Sequence, residues 1–239
     1  MVRIRLWDLP LRLFHWVLVL LVAASFVSAW TGGNAMTWHG RCGVTIIGLL
    51  SFRVTWGFVG STHARFARFV RGPAAILAYL RGQWQGVGHN PLGALSVLAL
   101  LALLSCQALG GLFANDDIAF NGPYSNVISK HLSDWITGWH KRSSWLILSL
   151  VAMHLGAIVF YTRVRKESLI APMLSGTKEV PATLAAESAR GGGPLAFVVA
   201  LSLGLAAAWA ASGGLLPAPT AAVEKPSASV TKPAAAPGW

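Results

Sequence analysis

Residues 139–161, WHKRSSWLILSLVAMHLGAIVFY, decide how this chain is read. The stretch is long and apolar enough to cross a bilayer. It carries His140 near its start and His154 in its later half, 14 residues apart. At about 1.5 Å per residue that is a rise of about 21 Å. At about 100° per residue the second imidazole falls about 40° short of four full turns, so both rings point to nearly the same side. One helix face therefore offers imidazole at two depths, one near each leaflet. Two stacked metal centres require that arrangement.

The rest of the chain repeats the pattern of apolar spans. Residues 9–30 form a first span behind Arg3 and Arg5, with Arg12 and His15 in its opening turns. Val27-Ser28-Ala29 resembles a signal-cleavage site, but the run exceeds the usual h-region of about 7–15 residues and reads as a retained helix. Residues 38–59 form a second span with His39 at its far end, and residues 91–114 a third without charge or histidine. Span four is the stretch quoted above. Residues 194–216, mainly Ala, Gly, Leu and Val, read as a fifth helix. The Ala/Pro/Ser-rich tail, 217–239, cannot bury a core and reads as disordered.

Charge orients these spans. Of 239 residues 11% are charged, far below the roughly 25% of soluble domains. The net charge of +11 sits mostly in alternate connections. Residues 60–90 carry Arg65, Arg68, Arg71 and Arg81 without an acid, while Arg163, Arg165 and Lys166 close span four. The loop 115–138 holds Asp116, Asp117 and Asp134 instead. The positive-inside rule then places the N-terminus and the exit of span four on the cytoplasmic side, with the tail on the outer side. The same distribution argues against nucleic-acid binding and for the lipid bilayer as the medium. Residues 72–81 start with Gly-Pro and read as a short interfacial helix. Cys42 and Cys106 lie within spans without metal-ligand spacing and read as buried apolar residues.

Single histidines in spans are often hydrogen-bonded across helices. Here the pattern is sharper. His15 and His154 fall near the inner leaflet, His39 and His140 near the outer one. Two facing imidazole pairs at two levels of a four-helix bundle are the axial ligands of two b haems. Zinc would need four ligands converging on one ion. The chain lacks CxxCH, which excludes c-type attachment. His63, His89 and His131 fall in connections and are assigned no iron. Arg53, 14 residues beyond His39, shares that residue's face at the inner level and suits a propionate of the inner haem. Arg41, with Lys141 and Arg142, can serve the outer haem, and Arg12 lies on the side of His15.

At this point the chain resembles a family. The motifs WDLPLRLFHW, WHGRCG, FRVTWGFVGSTHARF and GHNPLG, with His140 and His154, occur in the order seen in the bacterial cytochrome b561 family, notably its hydrogenase-type b-cytochrome branch. The resemblance covers about residues 5–176, ending in LIAPMLSG. It implies a di-haem membrane cytochrome exchanging electrons with quinone, His15 and His154 binding the inner iron and His39 and His140 the outer. The expected fold is an all-α four-helix transmembrane bundle (1–176), a cytoplasmic linker (177–193), a fifth helix (194–216) and the tail. The expected function is electron transfer between the quinone pool and a periplasmic redox partner, a c-type cytochrome or another redox protein. The alternatives are a superoxide:quinone oxidoreductase, fed through a basic funnel of Arg41, Lys130, Lys141 and Arg142, and the membrane-anchoring b subunit of a nickel-iron hydrogenase.

Overall fold

Each long helix begins where a polar side chain or a proline can cap it. Asp8 accepts from the Leu11 N–H at 2.7 Å, with Pro10 in the first turn. Asn90 does the same for Gly93 at 2.7 Å ahead of Pro91. Ser129 caps the longest helix through the Leu132 N–H, 3.3 Å away. Two of the motifs noted above, DLP and HNP, are therefore helix starts.

The computed structural model describes residues 1–84, 86–118 and 120–217, residues 185 and 186 by backbone alone. The order is β1 (Val2–Arg5), α1 (Leu9–Thr31), α2 (Met36–Val59), α3 (Phe66–Phe69), α4 (Pro73–Leu80), α5 (Pro91–Gly111), α6 (Lys130–Arg163), α7 (Ile170–Ser175), β2 (Thr177–Val180) and α8 (Pro194–Trp209). The protein is an all-α integral membrane bundle: α1, α2, α5, α6, and α8 with the helical turn that continues it to Gly214, are each long and apolar enough to cross a bilayer. The tail expected to be disordered lies, from residue 218 on, outside the described residues.

The centre of the bundle is α2, half of whose apolar window is buried, against 6% for α6. It packs on α1, α5 and α8. The packing against α8 is close because the residues are small. A Cβ added at Gly204 would stand 2.8 Å from the Gly48 carbonyl oxygen, and one at Gly48 would stand 3.0 Å from the Gly204 carbonyl oxygen. An apolar cluster of Ile46, Leu50, Leu104 and Ile147 fills the middle of the bundle. Above it, toward His39 and His140, and below it, toward His15 and His154, the helices part differently.

Two features differ from the sequence expectation. First, α6 starts at Lys130, within the stretch expected to be loop. Ser133 and Thr137 on its first turns hold the preceding loop: Asn115 donates to Ser133 Oγ at 2.7 Å, and the Asn115 N–H to Thr137 Oγ1 at 3.0 Å. Second, β1 and β2 pair antiparallel with Val2 opposite Val180 and Arg5 opposite Thr177. The segment after β2 returns to the same end. The Ala189 N–H donates to the Arg5 carbonyl at 2.7 Å, and Thr62 and Arg190 bond each other. These four-residue strands sit outside the spans, where apolar periodicity carries no signal.

Gly204→Val should lower the unfolding temperature in detergent, corresponding to about 1–3 kcal/mol of overpacking, because backbone atoms of α2 cannot yield. Gly156→Ala, whose Cβ meets nothing within 4 Å, should leave it unchanged. Circular dichroism melts that match for both variants would contradict the close α2–α8 crossing.

Candidate cofactor site

Beyond the Ile147 cluster α6 packs on α5 and stands apart from α1 and α2. The gap is a cavity of about 570 Å³ whose walls come from α1, α2, α5 and α6. Cofactor pockets span about 300–1,000 Å³. His39 and His140 both line it, their ring centres 6.0 Å apart and their planes at 80°. His39 Nδ1 donates to the Ser25 carbonyl of α1 at 2.9 Å, and His140 Nδ1 to the Gln107 carbonyl of α5 at 3.0 Å. A carbonyl oxygen only accepts, so each Nδ1 holds the hydrogen and each Nε2 keeps its lone pair for a metal.

This geometry fits a haem. Two imidazoles sharing one iron through bonds of about 2 Å hold their ring centres about 6 Å apart. The flat macrocycle needs room beside the rings, and glycine provides it. A Cβ at Gly111 would lie 3.1 Å from His140 Cε1, and a Cβ at Gly43 meets nothing within 4 Å. A pair of neutral nitrogens between apolar walls does not suit calcium, which takes oxygen, or structural zinc, which takes four ligands. Among the described residues no cluster of three or more His, Cys, Asp or Glu is placed to hold a bare metal ion.

At the opposite end, α1 and α6 bring His15 and His154 within electrostatic reach of each other. His15 Nδ1 is sealed from solvent without a hydrogen-bond partner among the described residues, its ring against Trp16 at 5.0 Å. Arg53 lies at the same end, 2% exposed, with Nη1 likewise sealed and unpartnered. Its guanidinium rests over Phe66 at 5.0 Å and Phe69 at 6.0 Å. A buried cation with a spare N–H is what a propionate would meet. The nearby Asp8 already accepts from Leu11 and from Trp56 Nε1, the latter at 3.0 Å.

The other expected arginines are placed differently. Arg12 donates through Nη1 to the Leu174 carbonyl of α7, while its Nε is sealed. Arg41 is exposed, its guanidinium 4.9 Å from the Trp38 ring centre, and it borders a shallow second depression rather than the large cavity. Lys141 does line the cavity. Sequence reasoning missed Ser25 and Gln107 because each meets a histidine ring through its backbone carbonyl, which side-chain identity does not report. It also left His63 and His89 in a loop. His63 Nε2 hydrogen-bonds the Glu187 carbonyl at 2.6 Å, and His89 is held between Trp7 at 4.7 Å and Phe69 at 4.9 Å.

The family model described as prokaryotic cytochrome b561 matches residues 6–176. Curated relatives agree in kind. A probable Ni/Fe-hydrogenase B-type cytochrome subunit of Azotobacter vinelandii is 28% identical over 212 residues, covering 71% of this chain and 86% of its own length. The corresponding subunit of Rhizobium leguminosarum bv. viciae is 23% identical over 208 residues, covering 72% and 87%. The probable Ni/Fe-hydrogenase 1 B-type cytochrome subunit of Escherichia coli K12 is 21% identical over 216 residues, covering 71% and 88%. No solved structure matches the chain.

His89 gives a pH prediction. Burial first, then the charges of Arg53 and His63, push its pKa down to about 3. An unfolded imidazole titrates near about 6.5, so between about 6.5 and about 3 the unfolded chain takes up a proton that the folded one refuses. The stability due to neutral burial is present above about pH 6.5 and lost on acidification, by up to about 1.4 kcal/mol per pH unit. His89→Leu should flatten the fall in unfolding temperature between pH 6.5 and 4. Parallel profiles for wild type and variant would refute the assignment.

Proposed function

The chain belongs to the prokaryotic cytochrome b561 family, and on that premise we propose that it carries electrons between two b haems, each held by two of its histidines. It is a multi-pass membrane protein of electron transfer, and the family implies haem b. The finer reading assigns His39 and His140 to one iron and His15 and His154 to the other. The single observation that carries it is the His39–His140 pair, 6.0 Å between ring centres across a four-helix cavity, each Nδ1 tied to a helix carbonyl.

When bound, haem supplies one-electron exchange at its iron. The chain supplies the rest. His39 and His140 present Nε2 lone pairs from fixed tautomers. Arg53 offers its spare N–H to a propionate at the other level. Arg41 and Arg12 stay secondary candidates, the first engaged by Trp38 and the second by Leu174. The cluster of Ile46, Leu50, Leu104 and Ile147 keeps water out between the levels. In this reading residues 1–176 form the di-haem unit, of which the family match covers 6–176, and the fifth helix is an addition.

Orientation follows from charge. Arg3, Arg5, Arg163, Arg165 and Lys166 gather at the end of His15 and His154, which supports a cytoplasmic position in a bacterial inner membrane. Quinone or quinol exchanges electrons near that level, and a periplasmic redox protein exchanges them at the other. The relatives' names favour a hydrogenase as that partner over a c-type cytochrome. The superoxide oxidase reading is weaker. Of its four funnel cations, Lys130 is held by Asp117 at 2.5 Å and also by Asp134, and Arg41 lies over Trp38.

The test is optical. Protein purified from membranes should show dithionite-reducible b-type bands and two haems per chain by pyridine haemochrome. His39→Ala or His140→Ala should remove one haem, and His15→Ala or His154→Ala the other, with quinol still reducing whichever haem remains at the His15 level. One haem in the wild type, or the same haem lost in all four variants, would overturn the pairing.

A further inference from the structure

Gln107 and His140 make a reciprocal contact. His140 Nδ1 donates to the Gln107 carbonyl at 3.0 Å, and Gln107 Nε2 donates back to the His140 carbonyl at 2.9 Å. The remaining polar atom of the amide is also reached: Ser143 Oγ lies 2.5 Å from Gln107 Oε1 and shares its one hydrogen between that oxygen and the Trp139 carbonyl at 2.7 Å. Ser143 lies one turn after His140, so three bonds join one turn of α5 to one turn of α6. His39 has a simpler arrangement, its Nδ1 reaching the Ser25 carbonyl, which also accepts from Ser28 Oγ at 3.1 Å. Neither the His39 nor the His140 ring meets a carboxylate among these contacts.

We propose that Gln107 is a positioning residue that sets the reduction potential of the haem held by His39 and His140, by locking the His140 imidazole onto its backbone carbonyl. The inference rests on the haem pairing proposed above. The physical chain is short. An imidazole whose Nδ1–H is held by a carbonyl is a more basic ligand, and a more basic ligand favours the oxidised iron. The imidazole has two ways to lose that bond: the ring can rotate, or α6 can slide along α5. Gln107 Nε2 opposes the slide because it fixes the backbone of His140 itself. Ser143 holds the amide in the orientation that leaves Nε2, rather than Oε1, facing the His140 carbonyl. Gly110 and Gly111 let α5 lie close beside the ring: a Cβ at Gly111 would stand 3.1 Å from His140 Cε1. A polar group in a span is costly unless bonded, and this amide bonds on both its nitrogen and its oxygen to the ligand turn.

The experiment is a redox titration of the full chain, followed optically and by electron paramagnetic resonance of the low-spin ferric haems. Gln107→Met keeps length and removes both bonds. The midpoint of one haem should move to more positive values and its resonance should change, while the second haem keeps its wild-type midpoint. Ser143→Ala should move the same haem in the same direction by less, and Ser143→Thr, which retains the hydroxyl, should restore the wild-type value. Should Gln107→Met lose that haem, the Ser143 pair decides by its midpoint. Movement of both haems together, or of neither, overturns the inference; should Gln107→Met not accumulate, the Ser143 pair decides by the same criterion. A wild-type protein without two haems refutes the underlying pairing instead, so the two failures are told apart.

Discussion

The structure depends on keeping α6 at a distance. Helices normally close to an axial separation of about 8–10 Å, driven by contact between their side chains. Here α6 touches α5 and yet leaves about 570 Å³ between itself, α1 and α2. Hydrogen bonds at both ends hold it. At one end Asn115 ties the loop before α6 to Ser133, Asp134 and Thr137. At the other, the Tyr161 hydroxyl bonds the Tyr79 hydroxyl and accepts from Asn90 Nδ2 at 2.7 Å. Between them Ile147, 2% exposed, is the point where α6 reaches the common core. A helix pinned at its ends and middle keeps the cavity open, with His140 of α6 at its wall.

Polar groups inside a bilayer are retained only when something compensates them. At the His154 end the compensation is partial. Asp8 is fully engaged, as an N-cap and as the acceptor of Trp56, while Arg53 and His15 each keep one sealed atom without a partner. At the His140 end the imidazole nitrogens not needed for a metal are already bonded to backbone. The two ends thus differ in finish. One has its imidazole rings oriented by helix carbonyls, and the other keeps sealed polar atoms that an anionic, hydrogen-bonding group would complete.

Much of this was legible in the sequence. The 14-residue spacing of His140 and His154 places two imidazoles on one face at two depths, and span count and charge asymmetry follow from hydropathy alone. The fifth helix was legible as an apolar run, but not its seat against α2, because Gly48 and Gly204 look like any membrane glycines until their backbones are seen to touch. The β1–β2 ribbon was not legible, being too short for periodicity. Nor were the carbonyls of Ser25 and Gln107, since every residue carries one. Arg12 and Arg41 show the converse limit. Spacing sets each beside a histidine along its helix, but the neighbours that claim them, Leu174 and Trp38, depend on rotamers that spacing does not specify.

The seat of α8 also bears on assembly. Gly204 against Gly48, and the Tyr124 hydroxyl donating to the Ala210 carbonyl at 2.5 Å just past the helix, anchor this segment along one side of α2 and beneath the loop that follows α5. That flank of the molecule is therefore occupied by its own polypeptide. The apolar window of α8 is itself only 17% buried, so the segment covers α2 while turning an apolar face of its own outward. A neighbouring subunit approaching the membrane protein from this side therefore meets the added helix rather than α2.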